Sequence, residues 1–140
     1  MYVRVFLADD AEVMRKAIRR LLSGREDIAV VGEASNFLET IQKTTELHPD
    51  LIILDLNMPD RNHVPLTKAK SLLNGAKVLA MTLGTDERVG ELLNSVGAVR
   101  LLDKAELANQ LIPAILELGN GGPRHFVKSS PSNPFVSSAG

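Results

Sequence analysis

Cysteine is absent from the 140 residues, and the sequence has little net charge and no long apolar run. The lack of cysteine excludes disulfide bonds, thiolate zinc sites and a cysteine nucleophile. A formal net charge of −1 provides no overall field that would hold nucleic acid or an anionic membrane. Apolar runs such as residues 51–54 fall far short of the roughly 18 residues of a membrane span, and the N-terminal apolar stretch is too short for a signal peptide. We therefore expect a cytoplasmic protein that makes no membrane contact.

The composition that is present is that of a folded domain. Apolar residues make up 44% and charged residues 24%, and the length favours one domain with a sizeable core. The composition changes after residue 118, because 14 of the 22 residues in 119–140 are Gly, Ser, Pro or Asn. We predict a folded domain over residues 1–118 and a flexible C-terminal tail or linker over residues 119–140.

Strand-like apolar runs alternate with amphipathic helical segments along the folded part. The predicted strands cover residues 2–8, 28–34, 51–54, 77–81 and 99–102, and the predicted helices cover 12–22, 37–47, 65–73, 86–95 and 105–118. Parallel strands need crossover helices, so five βα units predict a doubly wound α/β fold, a three-layer sandwich around a five-stranded parallel sheet.

Polar residues stand at the carboxyl ends of four predicted strands, where ligands bind in such folds. They are Asp9-Asp10, Asp55, Thr82 and Lys104. Carboxylates about 4 Å apart repel by roughly 4 kcal/mol at an effective dielectric constant of 20, and a hard divalent cation relieves that repulsion. The donors suit Mg²⁺, with Asp10 and Asp55 as direct ligands and Asp9 acting through water. The alternative for Asp9 or Asp10 is a cap on the following helix.

The same strand ends carry groups suited to phosphoryl transfer. Asp55 follows four apolar residues, so its carboxylate lies at the mouth of a buried strand and can attack phosphorus. Lys104 can pair with a transferred phosphoryl oxygen, and Thr82 offers a hydroxyl to another. Taken singly, Asp55 could terminate a strand and the other two could have surface or capping roles. The combination favours a phosphoryl site.

Several motifs together resemble the receiver domain of two-component response regulators over residues 2–118. They are Leu7-Ala8-Asp9-Asp10, Leu54-Asp55-Leu56-Asn57-Met58-Pro59, Ala80-Met81-Thr82, and Gly97-Ala98 followed by Lys104. Three further segments are similar to the LuxR/NarL-type subfamily, whose output is a helix-turn-helix DNA-binding domain. They are residues 12–15, 30–34 and 102–104.

The resemblance implies a flavodoxin-like fold and a role for each strand-end residue. Asp55 is the implied phosphoacceptor, and Asp10, Asp55 and the Asn57 backbone carbonyl are the implied Mg²⁺ ligands, with Asp9 behind them. Thr82 and Lys104 are the implied phosphoryl sensors. The implied partner is a sensor histidine kinase, and a homodimer is compatible with the family. DNA contact is expected only through an output domain outside these residues. The resemblance also implies a signalling module rather than an enzyme.

Three positions depart from the family pattern. Leu101 occupies the switch position, where the family usually has Tyr or Phe, and His63 stands where the loop usually has Gly. Leu83 follows Thr82 in place of Ala or Gly, which would crowd the phosphoryl pocket or slow attack by water. These departures keep open a degenerate receiver that binds partners without phosphorylation. His63 has no neighbouring histidine at ligand spacing, so we interpret it as a solvated loop residue.

A different class, a Mg²⁺-dependent phosphatase with an aspartyl nucleophile, would use similar carboxylates. Its nucleophile follows the first strand of the fold, whereas Asp55 follows the third predicted strand. The order of the strands therefore favours the receiver.

Overall fold

The computed structural model describes residues 2–61, 73, 75–84, 89–119 and 127–128. The strands are β1 (Val3–Ala8), β2 (Ile28–Ala34), β3 (Leu51–Asp55), β4 (Lys77–Thr82), β5 (Ala98–Asp103) and β6 (Val127–Lys128). The helices are α1 (Glu12–Leu22), α2 (Phe37–Leu47), α3 (Val89–Val96) and α4 (Leu107–Gly119), with a 3₁₀ turn at Lys104–Glu106. No helix within these ranges is long and apolar enough to cross a bilayer.

The strands form one parallel sheet in the order β2-β1-β3-β4-β5-β6. Successive side chains of a strand point to opposite faces, so Val5 and Leu7 of β1 enter one core while Phe6 and Ala8 enter the other. Helices α1 and α4 supply apolar residues to the core around Val5, and α2 and α3 supply those around Phe6. The predicted three-layer sandwich is confirmed.

Strand order places the carboxyl ends of β1 and β3 side by side at the centre of the sheet. From β1 the chain moves outward to β2, and it then returns to β3 on the other side of β1. The register pairs Ala8 with Leu54, so Asp9 and Asp55 are the next residues at the same edge. This reversal of direction creates the crevice in which doubly wound folds bind ligands.

The predicted elements agree closely with the observed ones. Strand β2 and helices α1 and α2 have the predicted bounds. The helix predicted over residues 105–118 instead divides into the 3₁₀ turn and α4, because the Asp103 side chain accepts the Ala105 amide and tightens the first turn. Of the helix predicted at residues 65–73, only buried Leu73 is described, and the first residues of the helix predicted at 86–95 lie outside the described residues.

The five predicted strands are present in one parallel sheet, and one short strand that was not predicted, β6, extends it. Strand β6 adds to the outer edge of β5, pairing with residues 100–101. An edge strand presents unpaired amide and carbonyl groups, and any extended segment that reaches it can pair with them without a special side-chain pattern. Composition therefore gave no signal for β6. The other residues of the predicted tail beyond Gly119 lie outside the described residues, and their flexibility stays a prediction.

Candidate functional site

Asp9 continues β1 into the site and is fully buried, whereas the next residue, Asp10, is exposed. The Asp9 amide donates to the Ala34 carbonyl at 3.0 Å, which extends the pairing with β2. Its Oδ1 atom accepts the Ala11 amide at 2.8 Å, and its backbone carbonyl accepts Arg15 Nη1 at 2.6 Å. Ala11 is the N-cap of α1 and has no capping side chain, so the cap role left open for Asp9 and Asp10 is not the one observed.

Asp55 ends β3 and is 1% exposed. Its Oδ1 atom accepts the Asn57 amide at 2.9 Å, which closes a tight turn directly after the strand. Strand β3 contributes only apolar residues before Asp55, and all of them are buried. The fold therefore presents one carboxylate at the end of an otherwise apolar strand.

Lys104 joins the two buried carboxylates. Its Nζ atom lies 2.8 Å from Asp9 Oδ2 and 3.2 Å from Asp55 Oδ2, and its side chain is 7% exposed. The 3₁₀ turn after β5 carries Lys104 to this position, and Asp103 caps that turn. Buried charges persist when they are paired, and the Lys104 ammonium compensates part of the charge of these two carboxylates.

The acidic cluster consists of Asp9, Asp10 and Asp55, and one carboxylate oxygen from each lies within 4.8 Å of the others. Three carboxylates and one ammonium leave a formal charge of −2 where the chain brings them together. The donors are all carboxylate oxygens, the ligand type that hard divalent cations prefer. The cluster therefore suits a divalent cation in charge and in chemistry.

Burial raises the pKa of the Asp55 carboxyl group above its ordinary value. The Asn57 amide and the Lys104 charge oppose that effect without cancelling it, and the Asp9 charge adds to it. For Lys104, burial lowers the pKa, but the hydrogen bond to Asp9 and the charges of Asp55 and Asp9 outweigh burial and raise it. Lys104 therefore stays a cation in the folded protein, and it favours the ionised Asp55 that a nucleophile requires.

The other predicted residues lie around this cluster. Thr82 ends β4 next to β3, is 4% exposed, and donates its hydroxyl to the Gly84 carbonyl at a long 3.4 Å. Leu83 is 67% exposed, so most of its surface faces solvent. Leu101 is half-buried on β5, opposite Ala80. His63 lies outside the described residues.

Two neighbours of the site were missed by the sequence analysis. The Asp60 carboxylate accepts the amides of Phe37 at 2.8 Å and Leu38 at 3.0 Å, at the first turn of α2. Arg61 Nη1 lies 3.4 Å from Asn57 Oδ1. Asp60 is more than twenty residues from its partners in sequence, and no local pattern signals a contact over that separation.

Comparison with known proteins is consistent across sequence and structure. The profile of the response regulator receiver domain matches residues 5–116. A protein-glutamate methylesterase/protein-glutamine glutaminase of Methanosarcina acetivorans is 35% identical over 120 residues, covering 83% of this chain and 34% of that protein. The transcriptional regulatory protein LnrK of Bacillus subtilis is 33% identical over 122 residues, covering 86% of this chain and 55% of that protein.

The crystal structure of a LuxR-family two-component response regulator from Aurantimonas sp. SI85-9A1 has the same fold, with a TM-score of 0.77 and 25% identity. The match covers 94% of this chain and 92% of that one. The chain spans only about a third of the methylesterase and about half of LnrK, so its similarity to both lies in one shared domain.

Proposed function

This chain belongs to the response regulator receiver domain family, and from that premise we propose that Asp55 accepts a phosphoryl group from a sensor histidine kinase. The observation that carries the proposal is the bridge from Lys104 to the buried carboxylates of Asp9 and Asp55, with Asp10 in the same cluster. This bridge supports the proposal because the proposed nucleophile, a paired cation and carboxylates suited to a divalent ion lie together at the carboxyl ends of the strands. Incubation with acetyl phosphate and Mg²⁺, followed by intact mass measurement, tests transfer directly.

In the proposed step, an ionised Asp55 carboxylate oxygen forms a bond to phosphorus, while the bond from phosphorus to the donor imidazole nitrogen breaks and its electron pair stays with the imidazole. The new phosphoryl oxygens add negative charge beside Lys104, whose Nζ atom is already 3.2 Å from Asp55 Oδ2. Among the described residues the Thr82 hydroxyl makes one long contact, to the Gly84 carbonyl, and on phosphorylation it can donate instead to another phosphoryl oxygen.

The proposed Mg²⁺ ligands are the carboxylates of Asp10 and Asp55 and the backbone carbonyl of Asn57, with Asp9 acting through water. Three carboxylate oxygens within 4.8 Å and the formal charge of −2 support this assignment. When bound, Mg²⁺ supplies positive charge that offsets the carboxylates and the transferring phosphoryl group. Because Asp10 is exposed, its carboxylate is accessible to an ion, and binding does not require this charged group to be buried further.

Asp10→Asn is expected to stabilise the metal-free protein by roughly 1 kcal/mol, because it removes one of three mutually repelling carboxylates. The same change should remove most of the Mg²⁺-dependent rise in melting temperature, because it removes a ligand and part of the attracting charge. Thermal unfolding across a Mg²⁺ titration measures both effects. Glu26→Gln, an exposed carboxylate before β2 at the opposite edge of the sheet, is the matched control and should leave the titration unchanged. An unaltered titration for Asp10→Asn would rule out Asp10 as a ligand.

Leu101 is proposed as the switch position, and its smaller side chain should couple phosphorylation weakly to distant residues. A modification shifts a two-state equilibrium only through its different interaction with the two states, and near-complete conversion needs about 5.5 kcal/mol. Beryllofluoride with Mg²⁺ should shift amide resonances strongly at Asp55, Thr82 and Lys104 but only slightly along α3, and Leu101→Tyr should enlarge the response of α3. A large, saturating response of α3 in the wild type would show that Leu101 does not limit the coupling between the phosphorylation site and α3. No binding of beryllofluoride would favour a degenerate receiver.

We propose that the output of the whole protein is regulation of transcription rather than catalysis. The resemblance to LuxR/NarL-type receivers and the similarity to LnrK support this, while the methylesterase relative supports the other output. The reading frame downstream of these residues decides between them. A helix-turn-helix domain agrees with the proposal, and a methylesterase domain contradicts it.

A further inference from the structure

The loop of residues 56–61 carries the proposed carbonyl ligand, and the structure holds it at several points. Its start is closed by the hydrogen bond from the Asn57 amide to Asp55 Oδ1. Its middle is anchored by Met58, which is 1% exposed, and the Arg61 amide donates to the Met58 carbonyl at 3.3 Å. The Leu56 amide also donates to the Met81 carbonyl of β4 at 3.0 Å, and Leu56 is buried in the same core as Met58, so the first half of the loop is held against the sheet.

Asp60 makes the side-chain contacts that join the second half of the loop to α2. Both of its carboxylate oxygens are used, Oδ1 by the Phe37 amide at 2.8 Å and Oδ2 by the Leu38 amide at 3.0 Å. The first amides of a helix have no partner within the helix, and a negative charge there is favoured by the helix dipole. Asn36 satisfies the remaining amides of the first turn, with its side chain accepting Glu39 N and its carbonyl accepting Thr40 N.

We propose that Asp60 is a positioning residue for the Asn57 carbonyl, because its carboxylate ties the loop to the amino end of α2. This inference rests on the proposed function, in which that carbonyl is a Mg²⁺ ligand. Mg²⁺ requires near-ideal octahedral geometry, so a loop free to shift loses affinity even when every ligand is still present. Linkage is reciprocal, so an ion that binds better when Asp60 holds the loop also stabilises the hydrogen bonds between Asp60 and α2. Mg²⁺ should therefore slow hydrogen exchange of the Phe37 and Leu38 amides.

The test compares Asp60→Ala with Asn36→Ala in Mg²⁺ titrations followed by amide resonances. The two variants each remove a side-chain cap from the same helix, and they should lose similar stability. Only Asp60→Ala removes the link between the loop and α2, so we expect it to weaken Mg²⁺ binding by about fivefold, at the lower end of couplings between linked sites, while Asn36→Ala leaves affinity unchanged. In the wild type, Mg²⁺ should slow exchange at Phe37 and Leu38 more than at Glu39, which Asn36 caps.

Asp60→Asn extends the test if the alanine variant does not fold. It keeps the shape and one acceptor oxygen, so it should show an intermediate loss of affinity. A wild type that binds Mg²⁺, together with Asp60 variants that match Asn36→Ala in affinity, would overturn the positioning role and leave the proposed function intact. A wild type with no Mg²⁺ response would contradict the proposed function itself, and the inference with it.

Discussion

Asp55→Asn is expected to abolish the gain of one phosphoryl group that the wild type shows with acetyl phosphate and Mg²⁺. The amide has no ionised oxygen to attack phosphorus, yet it has nearly the same shape and can still accept the Asn57 amide through its oxygen. Burial disfavours the charged form of Asp55 and raises the pKa of its carboxyl group, so a neutral amide there removes the cost of burying that charge. The variant should therefore remain folded and lose the reaction.

Intact mass measurement of wild type and variant after equal incubation gives the result. Glu26→Gln, which neutralises an exposed carboxylate away from the acidic cluster, should gain the phosphoryl group as the wild type does. If Asp55→Asn still gained one phosphoryl group, another side chain would be the acceptor. Asp10 would then be the first alternative, because its carboxylate lies in the same cluster.

Lys104→Met should destabilise the metal-free protein by about 3 kcal/mol, because removing one partner of a buried ion pair leaves charge without compensation. Here two carboxylates lose their shared cation, and Asp9 and Asp55 are 0% and 1% exposed. The loss of the Lys104 charge would add to the effect of burial and raise the pKa of Asp55 further. Chemical denaturation without metal measures the difference in the free energy of unfolding.

Two comparisons separate this electrostatic effect from lost packing. Adding Asp9→Asn to Lys104→Met should recover part of the stability, because it neutralises one of the two carboxylates that have lost their cation. Lys43→Met removes a surface ion pair with Glu39 and should cost no more than about 1 kcal/mol. Equal losses for Lys104→Met and Lys43→Met would contradict a structural role for the buried bridge.

Local sequence patterns were sufficient to predict most of the strands and helices. In α1, apolar and basic residues alternate at helical spacing, and the observed helix has the predicted bounds. The four apolar residues before Asp55 predicted a fully buried strand, and every residue of β3 is buried. The 3₁₀ turn at Lys104 was not predicted, because a side-chain hydrogen bond from Asp103, rather than residue periodicity, decides it.

The members of the site were predictable because parallel strands align their carboxyl ends. Asp9, Asp55 and Lys104 each follow a predicted strand, and the structure brings Lys104 within ion-pair distance of both carboxylates. The different burial of Asp9 and Asp10 was not predictable. Asp9 and Asp10 are adjacent and chemically identical in the sequence, but the strand direction turns one into the core and the other toward solvent.

The sequence by itself determined the order of strands and helices, the kinds of residue at the strand ends and the family, since each depends on residue spacing or on local motifs. Only the tertiary structure decided that Lys104 bridges two carboxylates, that Asp60 ties the loop after Asp55 to α2, and that β6 pairs with β5. These contacts join residues distant along the chain, and backbone amides and edge strands accept such partners without a local sequence pattern.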